Sequence, residues 1–334
     1  MDTLRDFRAL SALSAFATTA VTLAAALGAA PAAAQGFPAR PIKLIVPFPP
    51  GGGPDLIARE VATEVGKQQG WTIVVDNKPG SAGNIGMDAA AKAAPDGYTL
   101  VMGQTANMAI NPSLYAKLPY NPQKDLVPIS LVASAPLAIA VASDSPYRTL
   151  GDLMNAAKAD ANAVNYASSG SGTVAHLAAE QLQRIAKVKM THVPYKGASQ
   201  GVTDLIGGQI QMYISSVVTL SGHIKGGKMR GLAVTSAKRS ADLPTVPTVA
   251  ESGYKGFEAV TWFGVAGPAG MPQDAVAQLN AAFNKALQTP AVKKKLTEQG
   301  ADVLGGTPAQ FASLLRDETA RWAQVVKESG VKVD

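Results

Sequence analysis

Val46-Pro47-Phe48-Pro49-Pro50-Gly51-Gly52-Gly53-Pro54-Asp55 is the stretch on which the reading of this chain turns. An apolar run, Ile42 to Val46, precedes it and reads as a strand. Leu56, Ile57, Val61 and Val65 follow at helical spacing. Pro54 and Asp55 suit the first turn of that helix, where a missing N–H costs little and a carboxylate caps. Three glycines remove the Cβ atoms that would keep a ligand from the backbone, and free N–H groups at the positive end of a helix suit an anion. A tight strand-to-helix connection without a ligand fits this stretch equally well.

The design recurs. Trp71 to Val75 reads as a second strand and leads into Asn77-Lys78-Pro79-Gly80-Ser81-Ala82-Gly83-Asn84. Tyr98 to Met102 reads as a third, followed by the polar loop Gln104-Thr105-Ala106-Asn107. After an irregular, proline-rich segment, Leu131 to Ala142 is long, apolar and broken only by Pro136. The strand Val164 to Ala167 leads into Ser168-Ser169-Gly170-Ser171-Gly172-Thr173, then a helix with Val174, Leu177, Ala178, Leu182 and Ile185 on one face. The strand Met190 to Val193 leads into Pro194-Tyr195-Lys196-Gly197-Ala198-Ser199-Gln200-Gly201. Further strands are expected near Gln211 to Ser215 and Gly231 to Thr235. Phe257 to Val265 is again long and extended. The remainder is helical, and Thr307-Pro308-Ala309-Gln310 starts a capped helix. The alternation predicts an α/β fold with ligands at the carboxyl ends of the strands. Two extended crossings predict two domains, 35–136 with 258–334 and then 137–257, facing each other across a cleft that a hinge closes.

The first 34 residues read as an export signal: Arg5 and Arg8, an alanine-rich apolar run, and Ala32-Ala33-Ala34 at the cleavage site. About 300 residues remain, enough for two cores. With no cysteine, disulfides and thiolate metal sites are excluded. The net charge of +6 is spread along the chain, with its densest cluster at Lys293-Lys294-Lys295. This argues against nucleic acid and for a mild attraction to acidic small molecules.

Catalytic readings were weighed against this. Gly197-Ala198-Ser199-Gln200-Gly201 matches a nucleophile elbow, which makes an exported serine hydrolase the alternative function. Its only later histidine, His223, stands too close in sequence. Gly170 to Ala175 fits a dinucleotide fingerprint but lacks the acid about twenty residues on. His176, His192 and His223 are scattered, with no partner at ligand spacing, so no metal is expected. His176 lies one turn into the helix after Thr173. Asp55 suits either a ligand amine or a cap, and Phe48 and Tyr195 suit either a ligand face or the core. What remains is a site of backbone N–H and hydroxyl groups, with Lys196 the cation inside a turn and no cofactor.

The chain resembles the Bug-type periplasmic receptors of the tripartite tricarboxylate transporter family. The resemblance rests on Pro47 to Gly52, on Asn77-Lys78-Pro79-Gly80 with Gly83-Asn84-Ile85-Gly86, and on Pro95-Asp96-Gly97-Tyr98-Thr99-Leu100. It continues in His192 to Gly197, in Leu243-Pro244-Thr245-Val246-Pro247-Thr248 with Glu251-Ser252-Gly253, and in Trp262-Phe263-Gly264 before Pro268-Ala269-Gly270. It implies a two-domain Venus-flytrap fold and a monomeric periplasmic receptor that passes a small carboxylate to transporter membrane subunits. It also implies that the turns Phe48 to Gly53 and Ser81 to Asn84 bind a carboxylate, partly through water. Phe48, Pro50, Gly51, Gly52, Gly53, Asp55, Ser81, Ala82, Asn84, Thr105 and Asn107 are therefore expected on one side of the ligand. Ser169, Gly170, Ser171, Gly172, Thr173, His176, Tyr195, Lys196 and Gly197 are expected to close from the other. Gln211 stands where many relatives carry Asp.

Overall fold

A computed structural model describes residues 36–333, and the export segment expected over 1–34 lies outside them. Residues 40–333 form one compact unit. Its frame is β4 (Leu126–Ala142), a strand long enough to serve two sheets. Along Leu126 to Pro136 it pairs antiparallel with β9 (Val260–Pro268), and at Ala133 and Ser134 also with the short β10 (Asp302–Val303). From Leu137 onward it takes new partners, β7 (Met212–Ser216) and β8 (Met229–Val234).

One sheet thus runs β2-β1-β3-β9-β4, with β1 (Ile42–Val46) between β2 (Ile73–Asn77) and β3 (Thr99–Gln104) in parallel. The other runs β4-β7-β5-β6, with β5 (Asn165–Ser168) parallel to β6 (Thr191–Pro194) and to β7.

Contrary to the expectation from sequence, Pro136 does not break the strand; it sits where the partners change. A residue with no N–H costs little at a point where the ladder is handed over. Thr235 ties that point together. Its N–H donates to the Leu137 carbonyl at 2.9 Å, its Oγ1 accepts from Leu137 N at 2.8 Å, and the same hydroxyl donates to the Ala259 carbonyl at 2.5 Å. Both crossings between the sheets are therefore fastened to one buried side chain.

Helices cover the sheets: α1 (Gly53–Gln69), α2 (Asn84–Ala91), the one-turn α3 (Asn111–Leu114), α4 (Leu150–Ala159), α5 (Val174–Ala186), α6 (Ala198–Ile206), α7 (Val217–Lys225), α8 (Gln273–Gln288), α9 (Pro290–Glu298) and α10 (Pro308–Ser329). Helix α7 lies between the two strands expected near Gln211 to Ser215 and Gly231 to Thr235, where no helix was expected. Ile185, expected inside, is exposed on α5.

The expected start of α10 is present with both reciprocal bonds, Thr307 Oγ1 accepting from Gln310 N and Gln310 accepting from Thr307 N. Phe311 then meets the edge of Trp262 with ring centroids 5.6 Å apart. Glu318 accepts the indole N–H of both Trp262 and Trp322, so neither buried ring leaves its donor unpaired. This docking requires Gly264, because a Cβ there would enter the Phe311 ring. Gly264→Ala is expected to destabilise the chain by about 1–3 kcal/mol through overpacking, seen as a lower urea midpoint at unchanged slope.

Candidate anion-binding cleft

The turn after β1 is held from within. Asp55 is buried; its Oδ2 accepts from Gly51 N at 2.9 Å, and its Oδ1 accepts from Arg59 Nε and Asn77 Nδ2, each at 2.9 Å. Burial raises the Asp55 pKa, but the bonds from Arg59, Gly51 and Asn77 outweigh it and hold the carboxyl below its ordinary value. Asn77 Nδ2 also donates to the Phe48 carbonyl. Asp55 therefore shapes the turn, and the ligand-amine role considered from sequence is not where the structure puts it. Gly51 takes φ +81°, a backbone state that glycine adopts without steric cost.

Beyond this turn lies a small cavity of about 40 Å³. On one side it is lined by Phe48, Pro49, Gly52, Gly53 and Pro54, with Gln104 and Thr261 from the ends of β3 and β9. Opposite stand Ser169, Thr173, Val174 and Ala175 at the start of α5, and Ala198 at the start of α6. Leu137, Ser215, Ser216 and Thr219 complete it from β4, β7 and the start of α7. Four helices of nine or more residues thus bring their amino ends to one cavity. Each end carries N–H groups with no intrahelical acceptor and a share of the positive helix dipole. No charged side chain lines the cavity.

The two sides touch through small residues. Ser199 Oγ donates to the Pro50 carbonyl at 3.0 Å, and Gly53 N donates to Thr219 Oγ1 at 3.1 Å. A Cβ on Gly197 would strike the Pro49 ring, and one on Gly172 would strike Leu114. Gly170 lies against Ala82. Ser81 and Ala82 both take positive φ, 47° and 52°, which non-glycine residues adopt at a cost of about 1–2 kcal/mol each.

Of the residues expected at the ligand, Phe48, Gly52, Gly53, Ser169 and Thr173 line the cavity. Pro50, Gly51, Ala82, Gly170, Gly172 and Gly197 form the surfaces by which the two sides meet. Ser171 is half-buried outside the lining, and Ser81 and Asn84 line a neighbouring groove with Ile85 and Tyr115. The rest have other work. Thr105 Oγ1 accepts from Trp262 N, Asn107 Oδ1 accepts from Gln104 N, and Asn84 Oδ1 accepts from Asn111 and Tyr120. The Tyr195 hydroxyl donates to Asp204, and its pKa is pushed up to about 12 by burial and by that carboxylate. Lys196 is exposed and outside the cavity. Gln211 accepts from Asn165 N at the start of β5.

Sequence reading missed Gln104, Ser215, Ser216, Thr219 and Thr261. The signal was present for the middle three: Ser215-Ser216 ends a strand, and Val217, Leu220 and Ile224 recur at helical spacing. It also missed that Glu180 stands one helical turn after His176 and that His192 stacks on it, ring centroids 3.9 Å apart. Among the described residues no cluster of three or more acids, histidines or cysteines suits a metal. The elbow serine makes its hydrogen bond to Pro50, not to a histidine.

A family model described as "Tripartite tricarboxylate transporter family receptor" matches residues 57–331. Protein BugT of Bordetella pertussis is 40% identical, over 95% of this chain and 98% of its own. The solved structure of Rpa4515 of R. palustris with adipate superposes with TM-score 0.86 at 34% identity, covering 89% of this chain and 99% of that one. MatC of Rhodopseudomonas palustris with bound malate gives TM-score 0.82 at 32% identity, covering 87% and 100%. The two-domain binding fold expected from sequence is the fold of this chain.

Burial, then the neighbouring His176, depresses the His192 pKa from 6.5 to about 3. The folded chain thus resists a proton that the unfolded chain accepts. This contribution to stability is fully present above pH 6.5 and is lost as pH falls from there towards 3. The unfolding midpoint is expected to fall across that window, and His192→Gln to fall less steeply in parallel thermal scans.

Proposed function

The chain belongs to the tripartite tricarboxylate transporter receptor family, and from that premise we propose that it captures a small carboxylated organic anion in the periplasm and delivers it to the membrane subunits of such a transporter. One observation carries the reading: four helix amino ends converge on a cavity with no charged side chain. An amine or metal finds no carboxylate there, and a sugar gains nothing from converging dipoles. A carboxylate gains N–H donors and hydroxyls without a buried counter-ion to desolvate. The similar structures that hold adipate and malate support this ligand class.

On this reading the segment 1–34 is cleaved near Ala34 on export, and the mature chain works as a monomer without catalysis. The domains are 35–136 with 258–334, and 137–257, hinged where Thr235 fastens β4. Phe48, Gly52, Gly53, Ser169 and Thr173 touch the ligand, together with Gln104, Ser216 and Thr219. Thr219 stands in a special place, since it also accepts from Gly53 across the cleft.

A thermal-shift panel tests the class, because a ligand bound by the folded state alone raises the midpoint. Adipate, malate and aromatic carboxylates are the expected hits. Thr219→Val is expected to weaken the best of them about five- to tenfold, the worth of one hydrogen bond. A panel in which amines or sugars stabilise the chain and carboxylates do not would overturn the proposal.

A further inference from the structure

The loop from Ser168 to Thr173 carries hydroxyls and the start of α5 to the cavity, yet its own backbone is loosely constrained. Gly170 takes φ +139° and Gly172 φ +79°, and glycine forfeits more freedom than any other residue when fixed. Hydrogen bonds must therefore hold the loop.

Two stacked histidines supply them at its two ends. His176 Nδ1 accepts from Gly172 N at 3.1 Å. His192 Nε2 lies 2.7 Å from Ser168 Oγ, whose own proton goes to the Gly170 carbonyl at 3.0 Å. The rings are nearly parallel, at 11°, and Tyr166 stacks on the far face of His192 at 4.9 Å. Glu180, which accepts from Tyr166 and Gln183, stands 3.9 Å from His176 Nε2.

The contacts of His176 assign its proton. An Nδ1 that accepts from a backbone N–H carries no proton, so His176 is the neutral Nε2–H tautomer with that proton towards Glu180. His192 Nε2 and Ser168 Oγ share one short hydrogen bond, and burial beside the His176 ring disfavours a charge on His192.

We propose that His176 and His192 are positioning residues for ligand capture, a stacked neutral pair that fixes the Ser168–Thr173 loop in its binding shape without touching the ligand. The inference rests on the carboxylate reading of the cleft for its purpose, but its geometry is testable without any ligand. Nothing in it calls for a metal or a proton transfer. A histidine meets the requirement because one flat ring offers an acceptor to the loop, turns its N–H side towards the Glu180 carboxylate and gives a face to its partner.

The test compares His176→Asn, whose Oδ1 reaches the position of Nδ1, with His176→Leu, which fills the space and accepts nothing. In the unliganded wild type, nitrogen NMR of labelled histidine should show the Nε2–H tautomer at His176. Amide exchange at Gly172 should be about tenfold faster in His176→Leu and within about threefold of wild type in His176→Asn, as expected for one lost hydrogen bond. Adipate and malate serve as ligand probes; the midpoint shift they give the wild type should persist in His176→Asn and shrink in His176→Leu. An Nδ1–H tautomer would overturn the proposal, as would unchanged Gly172 exchange in His176→Leu or equal damage in both variants. Should His176→Leu fail to fold, the wild-type tautomer and Gly172 exchange in His176→Asn decide the matter. If neither acid shifts the wild type, the choice of ligand fails, while tautomer and exchange still judge the positioning role.

Discussion

Everything in this molecule hangs on one strand being shared. Because β4 is hydrogen-bonded into both sheets, neither sheet is complete without it, and the chain must cross between them at its midpoint. The hand-over occurs at Pro136 and Leu137, and Thr235 bonds to the crossing strand and to the return at Ala259. A buried threonine at such a place resists unpairing of the crossing strands. The carboxyl ends of β1, β5, β6 and β7 are then carried to one side, where the helices that follow them begin.

The site itself is made by geometry more than by residue type. Glycine, serine, threonine and alanine dominate its lining because anything larger would hold the two faces apart or cover the N–H groups. The polar groups that look most reactive in the chain are spent elsewhere. Asp55 secures a turn, Tyr195 binds Asp204, and Ser199 joins the two faces across the cleft.

Much of the fold could be read in advance. Strand β1 spans the residues expected of it, and the start of α10 follows its capping signature. The α/β alternation and the two crossings were visible as period and length. Helix α7 was overlooked although Val217, Leu220 and Ile224 recur at helical spacing, because it has only nine residues and Thr219, Ser221 and Gly222 dilute its apolar stripe. Residues of the cavity lining were legible where a glycine turn marked them and illegible where long-range pairing chose the face. Gln104 and Thr105 are neighbours with similar chemistry, yet Thr105 points inward to Trp262, 157 residues away, and Gln104 reaches the cavity. The pairing of His176 with His192 likewise depends on how β6 lies beside β5, which no local pattern encodes.

A cleft that grips an anion with dipoles alone has an electrical consequence. Helix ends and hydroxyls lower the energy of a negative charge without cancelling it. Whatever valence the ligand brings is added whole to that of a chain whose formal charge is +6. Filled and empty forms therefore present different far fields to any charged surface they approach, even where their outer side chains are identical. Occupancy of the cleft becomes legible from outside as a change in electrostatic potential.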